Sequence, residues 1–413
     1  MTKYPIYLDF NATTPVHPIV LEAMLAFFGP VFGNPSSAHP FGFRLRAAME
    51  TARGQVAALI GAQDDEIVFT SCGSESNNLA LKGLAFAAEG TRNHIVISAV
   101  EHPAVTNTAR FLSHRGFSVT TVPVDGHGRV DPEAVREAVT ERTLVVSVLH
   151  GQNEIGTVQP LSRIAAAAHD RGALLHTDTA QSVGKIPVDV GTLGVDLLTI
   201  AGNKFYAPKG AGALYIRRGI KLEPLIHGGG HEKGLRAGTE NAAFAVALGK
   251  AAELAQQRRS LYDTHVRPLR DRLFKLIVSG VPNAVLNGHP EERLPNTLNV
   301  SFPGIDSTRL QAAVGDRVAC STGCGCHAGK TAPSATLLAI GRDEGLATAA
   351  LRLTLGVETT EAEIDEAASV LVSAIKDTLG GTDPSSEAPL SSALDSHRAE
   401  TSALRKKASQ SSL

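Results

Sequence analysis

The sequence predicts an α/β protein built on a mostly parallel sheet, followed by a smaller α+β unit. Between about residues 65 and 216, short apolar segments alternate with longer stretches of helical periodicity, as in sheets that helices cover on both faces. This strand–helix alternation favours parallel pairing. The alternation ends at about residue 216, and after residue 280 a short predicted strand at 297–302 begins a second unit that runs to about residue 379.

Seven short apolar segments are predicted as strands of the first unit. They are residues 67–70, 94–98, 118–122, 144–148, 174–177, 197–200 and 212–216. One helix between them has clear boundary signals, because Asp131 suits the N-cap and Pro132 the first helical position, while Val135 and Val139 lie one turn apart. Residues 242–278 are predicted as one long helix.

The same pattern divides the chain into four segments. We expect residues 1–14 to pack with the small domain, 15–255 to form the large α/β domain, and 256–379 to form the small α+β domain. From residue 380 the composition changes to Ser, Ala, Pro and Glu. The segment 380–413 is therefore expected to be disordered, because such a composition buries little apolar surface.

Composition excludes several classes of protein. Lys and Arg total 39, Asp and Glu total 41, and the formal net charge of −2 gives no overall field that would hold nucleic acid or an acidic membrane. No apolar run approaches the roughly 20 residues of a membrane-spanning helix, and the first residues lack the apolar stretch of a secretory signal. Four cysteines in a chain of this length do not form a disulfide framework of the kind found in secreted proteins. We therefore expect the protein to lie in the reducing cytoplasm.

Polar side chains follow four consecutive predicted strands. These strand ends lead to His102, Asn153, Asp178 and Lys204. In an open parallel sheet, ligands bind beyond the carboxyl ends of the strands, so we expect these side chains to meet there. A lysine beside an aspartate at such a place suits pyridoxal 5'-phosphate (PLP), since the lysine forms a Schiff base and the carboxylate keeps the pyridine nitrogen protonated.

The strand at 67–70 leads into a turn of small residues, where Gly73 and Ser74 open a predicted helix. A helix N-terminus offers free N–H groups and a positive dipole end to a phosphate. An ordinary strand–helix turn is the simpler interpretation, and taken alone this motif favours it.

Three cysteines, Cys320, Cys324 and Cys326, crowd together, and His327 follows the last of them. Zinc is the competing interpretation, because neighbouring Cys and His residues often ligate it. The spacing C-x3-C-x-C-H lacks the paired C-x2-C pattern, and no second cysteine cluster exists. We therefore expect no metal, and instead a loop of small residues that carries a reactive thiol, with Cys326 favoured by its histidine neighbour.

Taken together, these motifs resemble the cysteine desulfurase and selenocysteine lyase family, which consists of fold-type I PLP-dependent transferases of the class V aminotransferase group. The resemblance extends from Tyr7 to about residue 375 and includes many motifs in the family's order. They are residues 7–15, 33–37, 70–78, 101–102, 152–156, 178–181, 204–210, 228–239, the Cys326 loop and Arg352. The fold that the resemblance implies is a large PLP-binding domain with a seven-stranded, mostly parallel sheet and a smaller C-terminal α+β domain.

The resemblance also implies roles for individual residues. Lys204 would form the Schiff base, Asp178 would bind the pyridine nitrogen, and His102 would stack on the ring and assist proton transfer. Gln181 would bind the phenolate oxygen. The phosphate would contact Gly73, Ser74 and Asn203, and Thr239 of the other subunit of a homodimer. The substrate carboxylate would be held by Arg352 and Asn153, with Asn11 beside it, and Cys326 would take up sulfur.

This chain departs from the family at several of these motifs. The usual Ser-x-His-Lys is Ala201-Gly202-Asn203-Lys204 here, so a hydroxyl and an imidazole near the phosphate are lost, which predicts weaker retention of PLP. The family's paired asparagines become Gln152-Asn153, and His231 replaces a glutamine. Cys320 and Cys324 are additional to the family's pattern, and we interpret them as resolving or sulfur-relay thiols. For Cys320, a passive role in packing is an interpretation of at least equal weight.

The activity implied by the resemblance is conversion of L-cysteine to L-alanine, with the sulfur held on Cys326 as a persulfide. The sulfur would pass to an acceptor or scaffold protein for synthesis of iron–sulfur clusters or other thiocofactors. Two alternatives stay open on the sequence. One is a selenocysteine lyase acting on L-selenocysteine, because Cys326-His327 and residues 198–200 resemble that subgroup; the other is a PLP-binding partner protein without catalytic activity.

Overall fold

A computed structural model of the chain describes residues 4–88, 90, 92–322, 326, 327 and 330–380, with only the backbone of residues 326, 327, 330 and 331. Within these residues the strands are β1 (Ile6–Tyr7), β2 (Ile67–Thr70), β3 (His94–Ser98), β4 (Ser118–Val122), β5 (Thr143–Ser147), β6 (Leu174–Asp178), β7 (Leu197–Ala201), β8 (Gly212–Ile216), β9 (Val285–Leu286), β10 (Thr297–Ser301), β11 (Val318–Ala319), β12 (Ser321–Thr322), β13 (Cys326–His327), β14 (Lys330–Thr331) and β15 (Ala350–Thr354). The tail predicted as disordered lies, apart from Gly380, outside the described residues.

The α-helices of the same residues lie between these strands. They are α1 (Pro18–Leu25), α2 (Pro40–Ile60), α3 (Gly73–Ala87), α4 (Pro103–Ser113), α5 (Pro132–Ala138), α6 (Leu161–His169), α7 (Val190–Leu193), α8 (Ala242–Arg258), α9 (Arg267–Gly280), α10 (Ser307–Val314), α11 (Ala335–Ala339), α12 (Glu344–Thr348) and α13 (Glu361–Leu379). The N-cap at Asp131 and the proline at the start of α5 occur as predicted. The predicted long helix at 242–278 is instead α8 and α9, with a π-helical segment at Tyr262–Val266 between them.

A seven-stranded sheet forms the centre of the first unit, in the order β2-β8-β7-β6-β5-β3-β4. The pairs from β7 to β4 are parallel, and β8 runs antiparallel to both of its neighbours. The predicted α/β fold with a mostly parallel sheet is confirmed. The expectation that every strand is covered on both faces is wrong for β4, since three of its five residues are exposed at the edge of the sheet.

The second unit has an antiparallel sheet of its own, in the order β12-β15-β10-β9. Its core includes Phe302, Leu351 and Leu371. The N-terminal segment joins this unit, because β1 pairs in parallel with β11 and Leu8 is buried in the same core. Further along this segment, the N–H of Thr14 donates to the carbonyl oxygen of Asn203 just after β7, so the segment connects the second unit with the central sheet.

Two apolar cores lie against the faces of the seven-stranded sheet. One contains Val96, Val146 and Leu198, and the other contains Ile95, Val145 and Leu197, so that alternate residues of the same strands point to opposite faces. Both faces are therefore covered, and the polar residues beyond the strand ends are left at the carboxyl edge of the sheet. Among the described helices, none combines the length and apolarity that crossing a bilayer requires.

Candidate active site

A cavity of about 320 Å³ lies at the carboxyl edge of the central sheet, between the two units. Ten of the residues singled out from the sequence line it. They are Asn11, Gly73, Ser74, His102, Asn153, Asp178, Gln181, Asn203, Lys204 and Arg352. Thr239 is exposed and does not line this cavity. The side chain of Cys326 lies outside the described residues, although its backbone pairs with β14.

The N-terminus of α3 forms one wall of the cavity. Its N-cap residue, Cys72, makes no capping hydrogen bond with its side chain, so the first N–H groups of the helix remain available to an anion. Gly73 packs closely against β7, because a Cβ at this position would lie 3.1 Å from the Cβ of Ala201. An uncapped helix start beside a small-residue strand end fits a phosphate group.

The amine of Lys204 extends into the cavity from the short turn that follows β7. Its Nζ donates hydrogen bonds to the carbonyl oxygen of Asn11 at 2.9 Å and to that of Ala12 at 2.6 Å. Burial, and then the nearby positive charge of Arg352, lower the pKa of this lysine to about 8. A lysine in this environment has a much larger neutral, nucleophilic fraction at physiological pH than an exposed one.

The backbone around Lys204 is held by Thr14 of the N-terminal segment. The N–H of Thr14 donates to the carbonyl oxygen of Asn203 at 2.9 Å, and its hydroxyl donates to the same oxygen at 3.2 Å. The N–H of Tyr206 donates to the Thr14 hydroxyl at 2.7 Å. Tyr206 has a φ of 71°, which is rare for an aromatic residue, so these contacts stabilise an unusual backbone two residues after the lysine.

Asp178, at the end of β6, has both carboxylate oxygens hydrogen-bonded. Asn77 donates to Oδ2 at 2.7 Å, and the N–H of Ala180 donates to Oδ1 at 2.9 Å. The sequence analysis missed Asn77, although its spacing of four residues from Gly73 would place it on the same face of α3. These contacts fix a carboxylate in the wall of the cavity.

His102 lines the cavity from the N-cap of α4. Its Nδ1 accepts a hydrogen bond from the N–H of Ala104 at 3.1 Å, which assigns the proton of the neutral ring to Nε2. The preceding Glu101 is buried, and its carboxylate accepts from the N–H of Leu149 at 2.9 Å. Burial raises the pKa of Glu101 to about 8, so this carboxyl is largely protonated at neutral pH.

Arg352 enters the cavity from β15 of the second unit. Its Nη2 donates to Asp9 Oδ1 at 2.7 Å and to Ser321 Oγ at 3.0 Å, and its Nη1 donates to the carbonyl oxygen of Asn153 at 3.3 Å. The buried Nε has no hydrogen-bond partner among the described residues. A guanidinium that lines the cavity and is fixed by these contacts is suited to an incoming carboxylate.

Gln181, expected to bind the phenolate oxygen, has both ends of its amide engaged. Its Nε2 donates to the carbonyl oxygen of Asn11 at 2.9 Å, and its Oε1 accepts from Lys185 at 2.9 Å.

Gln152, one of the departures from the family, donates from its Nε2 to the Oγ1 of Thr336, the second residue of α11, at 3.1 Å. Its longer side chain thereby connects the cavity wall to the helix that follows the Cys326 loop.

The cysteines beside the cavity differ in environment. Cys320 is buried in the core of the second unit, and burial raises the pKa of its thiol to about 12. A thiol of this kind stays protonated, which favours packing over sulfur relay for Cys320. Cys324 lies outside the described residues. Cys72 lines the cavity, and the sequence analysis did not select it.

The segment that carries Thr239 is anchored by a buried ion pair. Arg53 of α2 contacts both carboxylate oxygens of Glu232, at 2.8 and 2.9 Å, and the N–H of Phe69 donates to the same carboxylate at 2.8 Å. Glu232 and the next residue, Lys233, have φ values of 46° and 59°, a conformation that side-chain-bearing residues rarely adopt. The ion pair thus stabilises an unfavourable backbone a few residues before Thr239.

The residues present fit PLP. The cavity joins a helix N-terminus for the phosphate, a fixed carboxylate for the pyridine nitrogen, and a lysine with a lowered pKa for the aldehyde. These three features come from distant parts of the chain and meet in one cavity of a size typical for small ligands.

Comparison with known proteins gives one consistent result. The family model for aminotransferase class-V matches residues 6–367. The chain is 44% identical over 370 residues to cysteine desulfurase IscS of Dictyoglomus turgidum, covering 89% of this chain and 94% of that protein. It is 45% identical over 363 residues to cysteine desulfurase 2 of Trichormus variabilis, covering 87% and 90%. A solved NifS-like protein superposes with a TM-score of 0.84 at 38% identity, covering 92% of this chain and all of its own.

Proposed function

Because the chain belongs to the class-V aminotransferase family and, within it, to the cysteine desulfurases, we propose that it converts L-cysteine to L-alanine and takes the sulfur onto Cys326. These enzymes are PLP-dependent, so the cofactor predicted from the sequence is confirmed. The observation that carries the proposal is the convergence of Lys204, Asp178, Arg352 and the start of α3 on one cavity.

In this proposal, different residues of the cavity bind different parts of the cofactor. Lys204 would form the covalent bond, Asp178 would hold the pyridine nitrogen, and Gly73 and Ser74 would bind the phosphate together with Asn203. His102 and Gln181 line the same cavity and would contact the ring. When bound, PLP supplies an electron sink for the charge that develops at the α-carbon of the substrate.

Substrate binding is assigned to the face of the cavity formed by the second unit and the N-terminal segment. Arg352 lines the cavity and is held in place by Asp9 and Ser321, which supports binding of the substrate carboxylate by its guanidinium. Asn153 and Asn11 lie beside this guanidinium in the cavity wall. Holding the carboxylate there orients the α-carbon toward the lysine side of the cavity.

Lys204 is the base in this proposal. Its neutral Nζ would accept the α-proton of the substrate, and the lowered pKa favours the neutral form that this transfer needs. His102, with its proton assigned to Nε2, is placed to assist.

Cys326 performs the sulfur step. Its thiolate attacks the sulfur of the substrate, so that a sulfur–sulfur bond forms as the bond between sulfur and Cβ breaks. The electron pair of the broken bond returns to the carbon skeleton, which takes up protons and leaves as alanine. The persulfide on Cys326 would then pass to an acceptor or scaffold protein for iron–sulfur cluster or other thiocofactor synthesis, in the cytoplasm.

The proposal includes a homodimer in which Thr239 reaches the phosphate of the other subunit. Its exposed position, away from its own cavity, supports this arrangement. Four phenylalanines between residues 28 and 43 are also more than half exposed, at 51–63%, and two of them, Phe32 and Phe41, are in contact with their rings tilted and the ring centroids 5.1 Å apart. An exposed aromatic cluster of this kind is typical of a protein interface.

The test is to supply the PLP-loaded full chain with L-cysteine or L-selenocysteine and to quantify alanine. We expect alanine from cysteine together with an equal amount of protein-bound persulfide when no acceptor is present. Alanine from selenocysteine alone would identify a selenocysteine lyase instead, and none from either substrate would refute the proposal.

A further inference from the structure

Lys185 is a fully buried lysine directly behind the cavity. The residue is 1% exposed, and its side chain is among the largest that are fully buried in the described part of the chain. Its Nζ donates to Gln181 Oε1 at 2.9 Å and to Asn11 Oδ1 at 3.2 Å. Within the described part of the chain, it forms no ion pair with a carboxylate.

Such an arrangement is unfavourable for stability alone. A buried ammonium without a counter-charge loses its hydration, and two amide oxygens replace it only in part. Burial, and the positive charges of Lys204 and Arg352, lower the pKa of Lys185 to about 7. A methionine would fill similar space without this penalty, so an explanation from packing is insufficient.

The chemistry of the ammonium defines the orientation of its partners. The ammonium form of Lys185 can only donate hydrogen bonds, and the neutral amine still offers two N–H groups to the two amide oxygens, so Gln181 turns its oxygen toward Lys185 and its NH2 group toward the cavity side. That NH2 group donates to the carbonyl oxygen of Asn11, the same oxygen that accepts from Lys204.

The same argument applies to the side chain of Asn11. Its Oδ1 accepts from both Lys185 and Asn296, the latter at 3.0 Å. Its Nδ2 is consequently directed to Thr297 Oγ1 at 2.9 Å and to the carbonyl oxygen of Asn153 at 3.1 Å. Two amides that line the cavity are therefore fixed by one buried amine.

We propose that Lys185 is a positioning residue of the cofactor site, which holds the amides of Gln181 and Asn11 in the orientation that receives PLP and keeps in place the backbone carbonyl oxygen of Asn11, to which Lys204 donates. This inference rests on the proposed function. It adds a residue that touches neither cofactor nor substrate and acts through two residues that line the cavity.

The test compares Lys185→Met with wild type as full-length chains stripped of PLP. Methionine keeps the length and removes the donor. We expect about tenfold weaker PLP affinity by absorbance titration, because donors to the two amides are lost, while the melting temperature of the PLP-free chain stays the same or rises. Lys376→Met, an exposed lysine at the end of α13, is the matched control and should bind PLP like wild type.

Unchanged PLP affinity in Lys185→Met, with a lower melting temperature, would assign the lysine a structural role and overturn the inference. Should this variant not fold, Lys185→Gln decides the matter, because its amide both donates and accepts and leaves the Gln181 orientation undefined. Weaker PLP binding by a folded Lys185→Gln supports the inference, and wild-type binding overturns it. A failure of the proposed function would be seen separately. In that case the PLP absorbance of the wild-type protein would be the same as that of Lys204→Ala, because Lys204 would form no covalent bond with the cofactor.

Discussion

Lys204 combines two properties that depend on its surroundings, a fixed position and a lowered pKa. Because its pKa is about 8, the neutral amine that attacks an aldehyde is a minor species below that pH and the major one above it. We predict that the rate of covalent PLP capture by the stripped protein rises with pH and levels off above about pH 8. Stopped-flow absorbance measures this rate. A rise that continues toward the pKa of an exposed lysine would contradict the assigned environment.

Ala201 is the residue whose departure from the family bears most directly on cofactor retention. Its Cβ packs near Gly73 in the cavity wall, where the family's serine would add a hydroxyl beside the helix N-terminus. We predict that Ala201→Ser slows the loss of PLP during dialysis by several-fold, since one hydrogen bond to a charged group is added. Retained absorbance measures it, with Ala245→Ser on α8 as the control. Wild-type protein that keeps all its PLP would show that the lost hydroxyl is unimportant.

Individual site residues were predictable to different degrees. His102, Asp178 and Lys204 follow predicted strands directly, so the rule for parallel sheets locates them without coordinates. Asn77 lies in the first part of α3 and Lys185 lies in the turn after β6, and both reach the site through the geometry of their side chains. A lysine among apolar residues, four positions after Gln181, was a usable signal for the latter.

At the scale of elements, the segment that carries Thr239 depends on the buried pair Arg53–Glu232. Side chains of both residues are at most 7% exposed. We predict that Glu232→Ala lowers the free energy of unfolding by about 3 kcal/mol, because it leaves the buried guanidinium with only the exposed Glu50 as a counter-charge and removes an acceptor from Phe69. Urea denaturation measures the change.

A matched control for this variant is Glu133→Ala on α5. Glu133 pairs with Arg136 at 3.2 Å, but both side chains are exposed, so its removal should leave the denaturation curve nearly unchanged. Equal effects of the two substitutions would contradict the anchoring role of Glu232.

Elements were predicted well where one period dominated the sequence. The seven central strands were recognised from their apolar runs, with ends shifted by at most one residue. The exposure of the edge strand β4 and the π-helical segment between α8 and α9 were not predicted. Edge position depends on strand order, and the π-helical segment keeps the apolar spacing of a helix, so neither leaves a local signal.

Across the whole molecule, the cavity is assembled from three regions of the chain. Asn11 comes from the N-terminal segment, Asp178 and Lys204 from the central sheet, and Arg352 from the second unit. Local patterns predict each region but not their contact. The resemblance to a family predicted that the three regions meet. In the structure, the N-terminal segment brings them together, because it pairs with β11 and binds the turn that carries Lys204.

The central claim is that Cys326 removes sulfur from cysteine in a PLP-dependent reaction. Its most direct test is alanine release from L-cysteine by wild type and by Cys326→Ala, each supplied with PLP. We predict steady alanine production by wild type and nearly none by the variant, with equal PLP absorbance in both. Equal alanine from both proteins would remove Cys326 from the mechanism. No alanine from wild type would contradict the desulfurase account and return the chain to the alternatives of a selenocysteine lyase or a PLP-binding partner protein.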